Sequence, residues 1–256
     1  MTALYPTIIY GPVRSRRLGI SLGVNLLPLT SKVCTFDCIY CECGWNSDNS
    51  GSRRFNDRQQ VASALQSALE AMAAEGQLPD VITFAGNGEP TMHPDFEQII
   101  EDTIALRDKY APQAKISVLS NATQLHREDV VRALKRVDNN ILKIDSLDES
   151  VARLINKPNC NYSVARVVEQ LKAFNGEFIL QTMLLKGEYE GVKFDNTTEE
   201  QIALWLEAVK ELSPRSVMVY SIARDTPCKT LQCVEREQLE AVAQRVRAAG
   251  IECSVA

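Results

Sequence analysis

The chain has 256 residues, 45% hydrophobic and 24% charged, with a net charge of −5 and a pI near 5.3. That length can bury one core the size of an α/β barrel, and the composition is ordinary for a globular protein. No apolar run approaches the roughly eighteen residues of a membrane span, and the first residues lack the basic n-region of a secretory signal. The acidic balance argues against a wide nucleic-acid surface, and two His are too few for chemistry built on several imidazoles. Eight Cys fit a reducing compartment better than a disulfide framework, so a cytoplasmic protein without a membrane partner is expected.

In chain order, residues 1–19 read as a basic, turn-rich lead-in containing Tyr10-Gly-Pro-Val-Arg-Ser-Arg-Arg-Leu-Gly19. Arg14, Arg16 and Arg17 form either a solvated loop or an anion clamp, because guanidinium groups this close repel one another without an anion nearby. A first strand is expected over 20–27, ending at Pro28, and a polar, mobile loop over 46–51. Asn56 is the expected N-cap of a helix over 57–74, with Val61, Leu65 and Leu69 at intervals of four. Strands follow at 81–84, 116–119, 141–144, 178–185 and 217–222. Helices follow at 94–110, 128–137, 164–173, 199–211 and 236–249, with a short edge strand at 251–256. His93 is the expected cap before Pro94, a structural rather than a catalytic role. Six alternating strand–helix units imply a parallel sheet with right-handed crossovers, and six cannot close the usual eight-stranded barrel. The expected fold is an open, partial (β/α)6 barrel of the TIM type over 20–256, in one domain with the lead-in.

Between the first strand and the first helix stands Lys32-Val-Cys-Thr-Phe-Asp-Cys-Ile-Tyr-Cys-Glu-Cys-Gly-Trp45. Cys34, Cys38 and Cys41 would share one face of a helix, but a Thr, an Ile, two aromatics and a Gly make a poor one. A short loop with three thiolates can curl around a metal centre, and soft sulfur suits zinc or iron–sulfur clusters. A [4Fe–4S] cluster normally takes four Cys ligands, so three without an obvious fourth leave one iron open. Cys43 either completes a four-cysteine zinc knot, despite its one-residue gap from Cys41, or stands aside as a bystander.

With aromatic Tyr40 before the third Cys, and an apolar strand ahead of it, this C-x3-C-x2-C spacing resembles the signature of the radical S-adenosylmethionine (SAM) superfamily. The resemblance implies a [4Fe–4S] cluster on Cys34, Cys38 and Cys41, with SAM chelating the open iron through its amino and carboxylate groups. It implies reductive cleavage of SAM to methionine and a 5′-deoxyadenosyl radical that takes hydrogen from a substrate. The electron would come from an external donor of the flavodoxin or ferredoxin type. The partial barrel is also the core fold of that superfamily.

Chemistry in βα barrels gathers at the C-terminal strand ends. After the second strand, Gly86-Asn87-Gly88-Glu89-Pro90 is similar to the Gly-Gly-Glu motif with which the superfamily holds the amino group of SAM, interrupted here by Asn87; the same residues also read as a tight turn capping the next helix. After the third strand, Ser120 and Asn121 either reach SAM or form a turn. Lys143 and Asp145 share one face of the fourth strand, where both-sided burial favours apolar residues, so they point into a polar cavity or pair with each other. Gln181 on the fifth strand is the candidate hydrogen-bonding partner of SAM, beside Met183 as core filler, and Tyr40 joins the cofactor-binding set. Lys143, Asp145 and Arg224 are the catalytic candidates; Arg224 reads as a substrate-binding group or as half of an Arg–Asp turn pair. Cys160, Cys228, Cys233 and Cys253 read as ordinary thiols, with a second cluster left open.

The lead-in and the run Tyr220-Ser-Ile-Ala-Arg-Asp-Thr-Pro227 resemble a branch of the superfamily related to the tRNA wyosine-type (imidazo-guanine) synthases, over nearly all of the chain. True wyosine synthases carry further cysteines upstream, for a second cluster that binds pyruvate; no Cys precedes Cys34 here, which argues against pyruvate-dependent wyosine formation. The expected substrate is a nucleoside or tRNA base, a small metabolite or a peptide, with a local anionic group matching the arginines. A second class stays open: a zinc- or iron–sulfur-binding module without catalysis.

Overall fold

The computed structural model describes residues 4–15, 19–48 and 51–256. Arg16 and Arg17 of the lead-in, and residues 49 and 50 of the polar loop, lie outside the described residues.

The main sheet runs β1 (Ile9–Ser15), β2 (Gly19–Val24), β3 (Val81–Phe84), β4 (Lys115–Ser120), β5 (Asn139–Lys143), β6 (Ile179–Met183), β9 (Ser216–Tyr220) and β11 (Glu252–Val255), in that order. From β2 to β11 every pairing is parallel, and β1 adds antiparallel to β2. The six expected strands are therefore β2, β3, β4, β5, β6 and β9, each followed by a helix, directly or (after β6 and β9) beyond short strands of a second sheet, and together making an open α/β barrel, with the expected edge strand as β11. Their outward side chains, among them Val24, Phe84, Val118, Leu142, Leu180 and Val219, pack into the principal core beneath the helices. The inward faces of β5, β6 and β9 contribute Ile141, Ile179 and Met218, joined by Leu119 of β4, to a separate small cluster inside the barrel. This alternation is the period of two that a strand imposes.

The helices are α1 (Arg58–Ala74), α2 (Phe96–Tyr110), α3 (Glu128–Leu134), α4 (Glu149–Asn156), α5 (Val164–Leu171), α6 (Glu199–Leu212) and α7 (Arg236–Ala248). The N-cap of α1 is Asp57, not Asn56: Asp57 accepts from Gln59 N in a capping box with Gln60. Asn56 is committed elsewhere, donating to Asn25 O at 3.0 Å and Leu27 O at 2.7 Å. His93 ends a 3-10 turn at Pro90–Met92 rather than capping α2, whose N-cap is Asp95. The buried His93 ring bridges Asn56 O at 2.8 Å and Asp95 N at 3.0 Å, the structural role expected of it.

The strand expected over 178–185 is broken at Leu184. Asn196 enters the break: its side chain accepts from Leu185 N at 2.8 Å and donates to Met183 O at 2.8 Å and Asp145 O at 2.9 Å. The chain beyond forms a second sheet of β7 (Leu185–Tyr189), β8 (Val192–Asp195) and β10 (Gln232–Cys233), in the order β10-β7-β8. This sheet, β1 and α4 were not anticipated.

Candidate active site

The cysteine stretch, residues 32–46, contains no helix. It is held between the turn after β3 and the C-terminal end of α4. On one side Val33 N donates to Asn87 O at 2.9 Å and Glu89 N to Val33 O at 3.1 Å. On the other, Asp37 N donates to Asn156 O at 3.0 Å and Ile39 N to Ile155 O at 3.0 Å. Phe36 and Ile39 anchor the loop in the core. Asn46 clasps it from behind, accepting from Cys34 N at 3.1 Å and donating to Cys34 O at 3.2 Å and Phe36 O at 3.1 Å. Lys32, fully buried, donates to Asp37 Oδ1 at 3.1 Å and Gly44 O at 2.8 Å.

This docking explains the glycine-rich turn. A Cβ on Gly88 would lie 1.7 Å from Val33 O, and its φ of +140° disfavours any other residue. Gly88 therefore lets the cysteine loop lie against the barrel.

The loop and the strand ends enclose a cavity of about 300 Å³, the lower end of the range for ligand sites. Cys34, Cys38, Cys41 and Tyr40 form one wall. Gly86, Gly88, Glu89, Ser120 and Asn121 stand at the ends of β3 and β4, Lys143 and Gln181 on β5 and β6, and Arg224 after β9. Every predicted site residue except Asp145 thus lines one space. Asp145 is fully buried just behind it and ion-paired to Lys143 at 2.7 Å, so both expectations for this pair hold in part: the residues pair, and Lys143 also faces the cavity.

Glu89 is buried, and its Oε2 accepts from Asn121 N at 2.7 Å while Oε1 accepts from Thr91 N at 3.1 Å and from the Thr91 hydroxyl. It is both a cap for the turn at Pro90–Met92 and part of the cavity wall. Burial raises its pKa against those hydrogen bonds. Asn121 reaches the loop, donating to Thr35 Oγ1 at 2.9 Å and Cys34 Sγ at 3.5 Å.

Across the cavity, Asp145 accepts from the Tyr40 hydroxyl and from Met183 N at 3.0 Å. The Lys143 ammonium donates to Asn156 Oδ1, stands 3.9 Å from Cys38 Sγ, and lies 5.0 Å and 5.3 Å from the ring centres of Phe36 and Tyr40. Burial raises the Cys38 pKa to about 11, against the lowering pull of Lys143. Burial likewise pushes Cys34 up, and the neighbouring Glu89 adds to it. Cys41 is drawn down by its side-chain interaction with Cys43, with burial opposing and Lys32 assisting.

Arg224 pairs with Glu42 of the cysteine loop at 2.6 Å rather than forming a turn pair with Asp225. Cys43 also faces the cavity, its thiol donating to Gly86 O at 3.2 Å. Among the described residues, no group of three or more His, Cys, Asp or Glu converges on a single metal-ion position.

Sequence reasoning missed Asn156, whose Oδ1 also meets the Tyr40 hydroxyl at 3.3 Å and the Cys38 thiol at 3.4 Å. The available signal was α4 itself: Asp148 as N-cap ahead of Glu149, then Ala152 and Asn156 four residues apart on the buried side.

A family model described as the Radical SAM superfamily matches residues 29–193, well over half the chain. The chain belongs to the radical SAM superfamily. This radical SAM chain is 34% identical over 213 residues to a UPF0026 protein of Methanocaldococcus jannaschii, covering 81% of this chain and 61% of that one, so it spans less than two thirds of that relative's length. It is similar in fold to a radical SAM methyltransferase from Sphaerobacter thermophilus, with a TM-score of 0.67 at 14% identity over 92% of this chain and 65% of the other. SuiB of Streptococcus suis, solved bound to S-adenosylmethionine, matches with a TM-score of 0.63 at 17% identity, covering 88% of this chain and 48% of that one.

Proposed function

We propose that this radical SAM chain holds a [4Fe–4S] cluster through Cys34, Cys38 and Cys41, binds SAM beside it, and uses the pair to take a hydrogen atom from a substrate. One observation carries this: the three thiols and the polar strand-end residues line the same cavity. The residues fit both groups. The thiols are soft donors on one wall of a buried site, and three leave an iron open. The superfamily of the chain, and a neighbour of like fold solved with SAM bound, support the pairing.

Held by Cys34, Cys38 and Cys41, the cluster would supply the one-electron reduction that cleaves SAM to methionine and a 5′-deoxyadenosyl radical, with the electron coming from a flavodoxin- or ferredoxin-type donor. The chain's own residues bind and orient. Glu89, held by Asn121 N and Thr91, offers carboxylate charge to the ammonium of SAM. Ser120, Asn121 and Gln181 supply hydrogen bonds, and Tyr40 is fixed by Asp145 as a wall against the nucleoside. Lys143, fixed by Asp145, presents a positive charge beside Cys38 and the cavity. Arg224, exposed at the mouth, receives an anionic part of the substrate. The substrate is a nucleoside or tRNA base, a small metabolite or a peptide, and the wyosine-type relationship belongs to the first of these.

Anaerobic reconstitution tests the proposal. About four irons per chain, and 5′-deoxyadenosine formed on adding SAM and reductant, are expected; one zinc and no nucleoside product would instead make the chain a binding module. Extracts of cells grown in deuterated water would then locate the substrate, by deuterium entering 5′-deoxyadenosine.

A further inference from the structure

Lys32 stands two residues before the first cysteine, and its side chain is 1% exposed. A buried ammonium is costly unless its charge and its three donors are met. Among the described residues its one ion-pair partner is Asp37, at 3.1 Å and itself 23% exposed. A second donor goes to Gly44 O at 2.8 Å. Gly44 is itself turned onto the third cysteine, its N donating to Cys41 O at 3.0 Å, and the ammonium acts electrostatically on Cys41, Cys34 and Cys38. A positive charge is thus enclosed within the cysteine loop, and Lys32 is not among the residues that line the cavity. Asn46 already clasps the loop through three hydrogen bonds of its own, so holding the loop shut does not by itself call for a cation here.

We propose that Lys32 is a positioning residue that fixes one positive charge against the cluster, making it easier to reduce than its three thiolates alone would allow. This rests on the assignment of Cys34, Cys38 and Cys41 as cluster ligands given above. The step concerned is the transfer of one electron from the flavodoxin- or ferredoxin-type donor to the oxidised cluster; no bond forms or breaks. Reduction adds a negative charge, which a nearby cation stabilises, and charge, hydrogen bonds to sulfur and exposure are the levers by which a protein sets such potentials. Burial keeps dissolved salt from screening the effect.

The test is an EPR-monitored redox titration of the anaerobically reconstituted full-length chain. For Lys32→Gln, the equilibrium constant for reduction by a fixed donor should fall about tenfold, which is a midpoint about 59 mV more negative for a one-electron couple. Lys32→Arg, which keeps the charge, should stay near wild type. Asp37→Asn removes the opposing charge and leaves Lys32 in place, so its midpoint should move the other way by a smaller factor. A residue that merely shapes the loop would lower the iron content of Lys32→Gln while leaving the potential of the remaining clusters unchanged, and that result overturns the proposal. Should Lys32→Gln keep no cluster, Asp37→Asn decides: a raised midpoint supports the proposal and an unchanged or lowered one overturns it. A wild-type chain that takes up no cluster would overturn the ligand assignment and the proposal together. A wild-type cluster whose potential ignores both substitutions overturns only the role of Lys32.

Discussion

The inner face of the barrel holds two regions a few ångströms apart that obey opposite rules. Leu119, Ile141, Ile179 and Met218 form an apolar plug. Two residues further along the same strands, or just past their ends, stand Asn121, Lys143, Gln181 and Tyr220, which face the cavity. The strand period forces both sets to point inward. The plug stabilises by excluding water. The upper set leaves polar groups at low dielectric and satisfies them in networks such as Lys143–Asp145–Tyr40–Asn156. In the proposed reading, one stretch of barrel is thus committed to stability and the next to ligand chemistry.

Substitutions in the two regions should separate those roles. The largest effect is expected at the loop facing the upper region: Cys38→Ala should lose most of the iron and all 5′-deoxyadenosine production, read by iron assay and chromatography. Next comes Lys143→Met, which strands the Asp145 carboxylate in the interior and should cost about 3–5 kcal/mol in urea unfolding of the apoprotein. Adding Asp145→Asn should restore most of that stability without restoring SAM cleavage. In the plug, Ile141→Ala should cost about 2–4 kcal/mol through the cavity it leaves, while iron uptake stays at wild-type level. An Ile141 variant that lost its iron would erase the distinction between the regions.

A smaller effect concerns α4, which carries the loop on its C-terminal end. The Asp148 side chain caps that helix, and its carboxyl is held below the usual range by the Ser150 hydroxyl and then by the N–H groups of Val151 and Ser150, with burial opposing. A depressed folded-state pKa contributes stability above the unfolded value and loses it as pH falls through the folded one. Asp148→Ala should therefore cost about 1 kcal/mol near neutral pH, a difference that fades below the ordinary carboxylate range near pH 3.9. Unfolding curves of both proteins at the two pH values check it.

The strands and most helices were legible because each parallel strand is a short apolar run and each helix repeats its apolar residues every three or four positions. Val81–Phe84 is the clearest case, buried at all four residues. Helix α4 was missed because the polar Asn156 shares its buried face with only Ala152 and Ile155, and β7 because Asn196, a residue far along the chain, ends β6 at Met183. The cysteine trio announced itself by spacing. The role of Gly88 did not, because what it accommodates is the backbone of Val33, fifty-five positions earlier in the sequence. Lys32 and Asn156 were equally silent: one looks like a surface lysine and the other like a helix-end asparagine until the fold buries them beside the thiols.

The central claim is that three cysteines at the strand ends hold a cluster with one iron free to take SAM. EPR of the reduced, anaerobic protein before and after adding SAM tests it most directly. The account predicts a [4Fe–4S]⁺ signal whose shape changes when SAM is added, and that change should be absent in Cys38→Ala. A cluster signal indifferent to SAM, or a protein carrying only zinc, would contradict it.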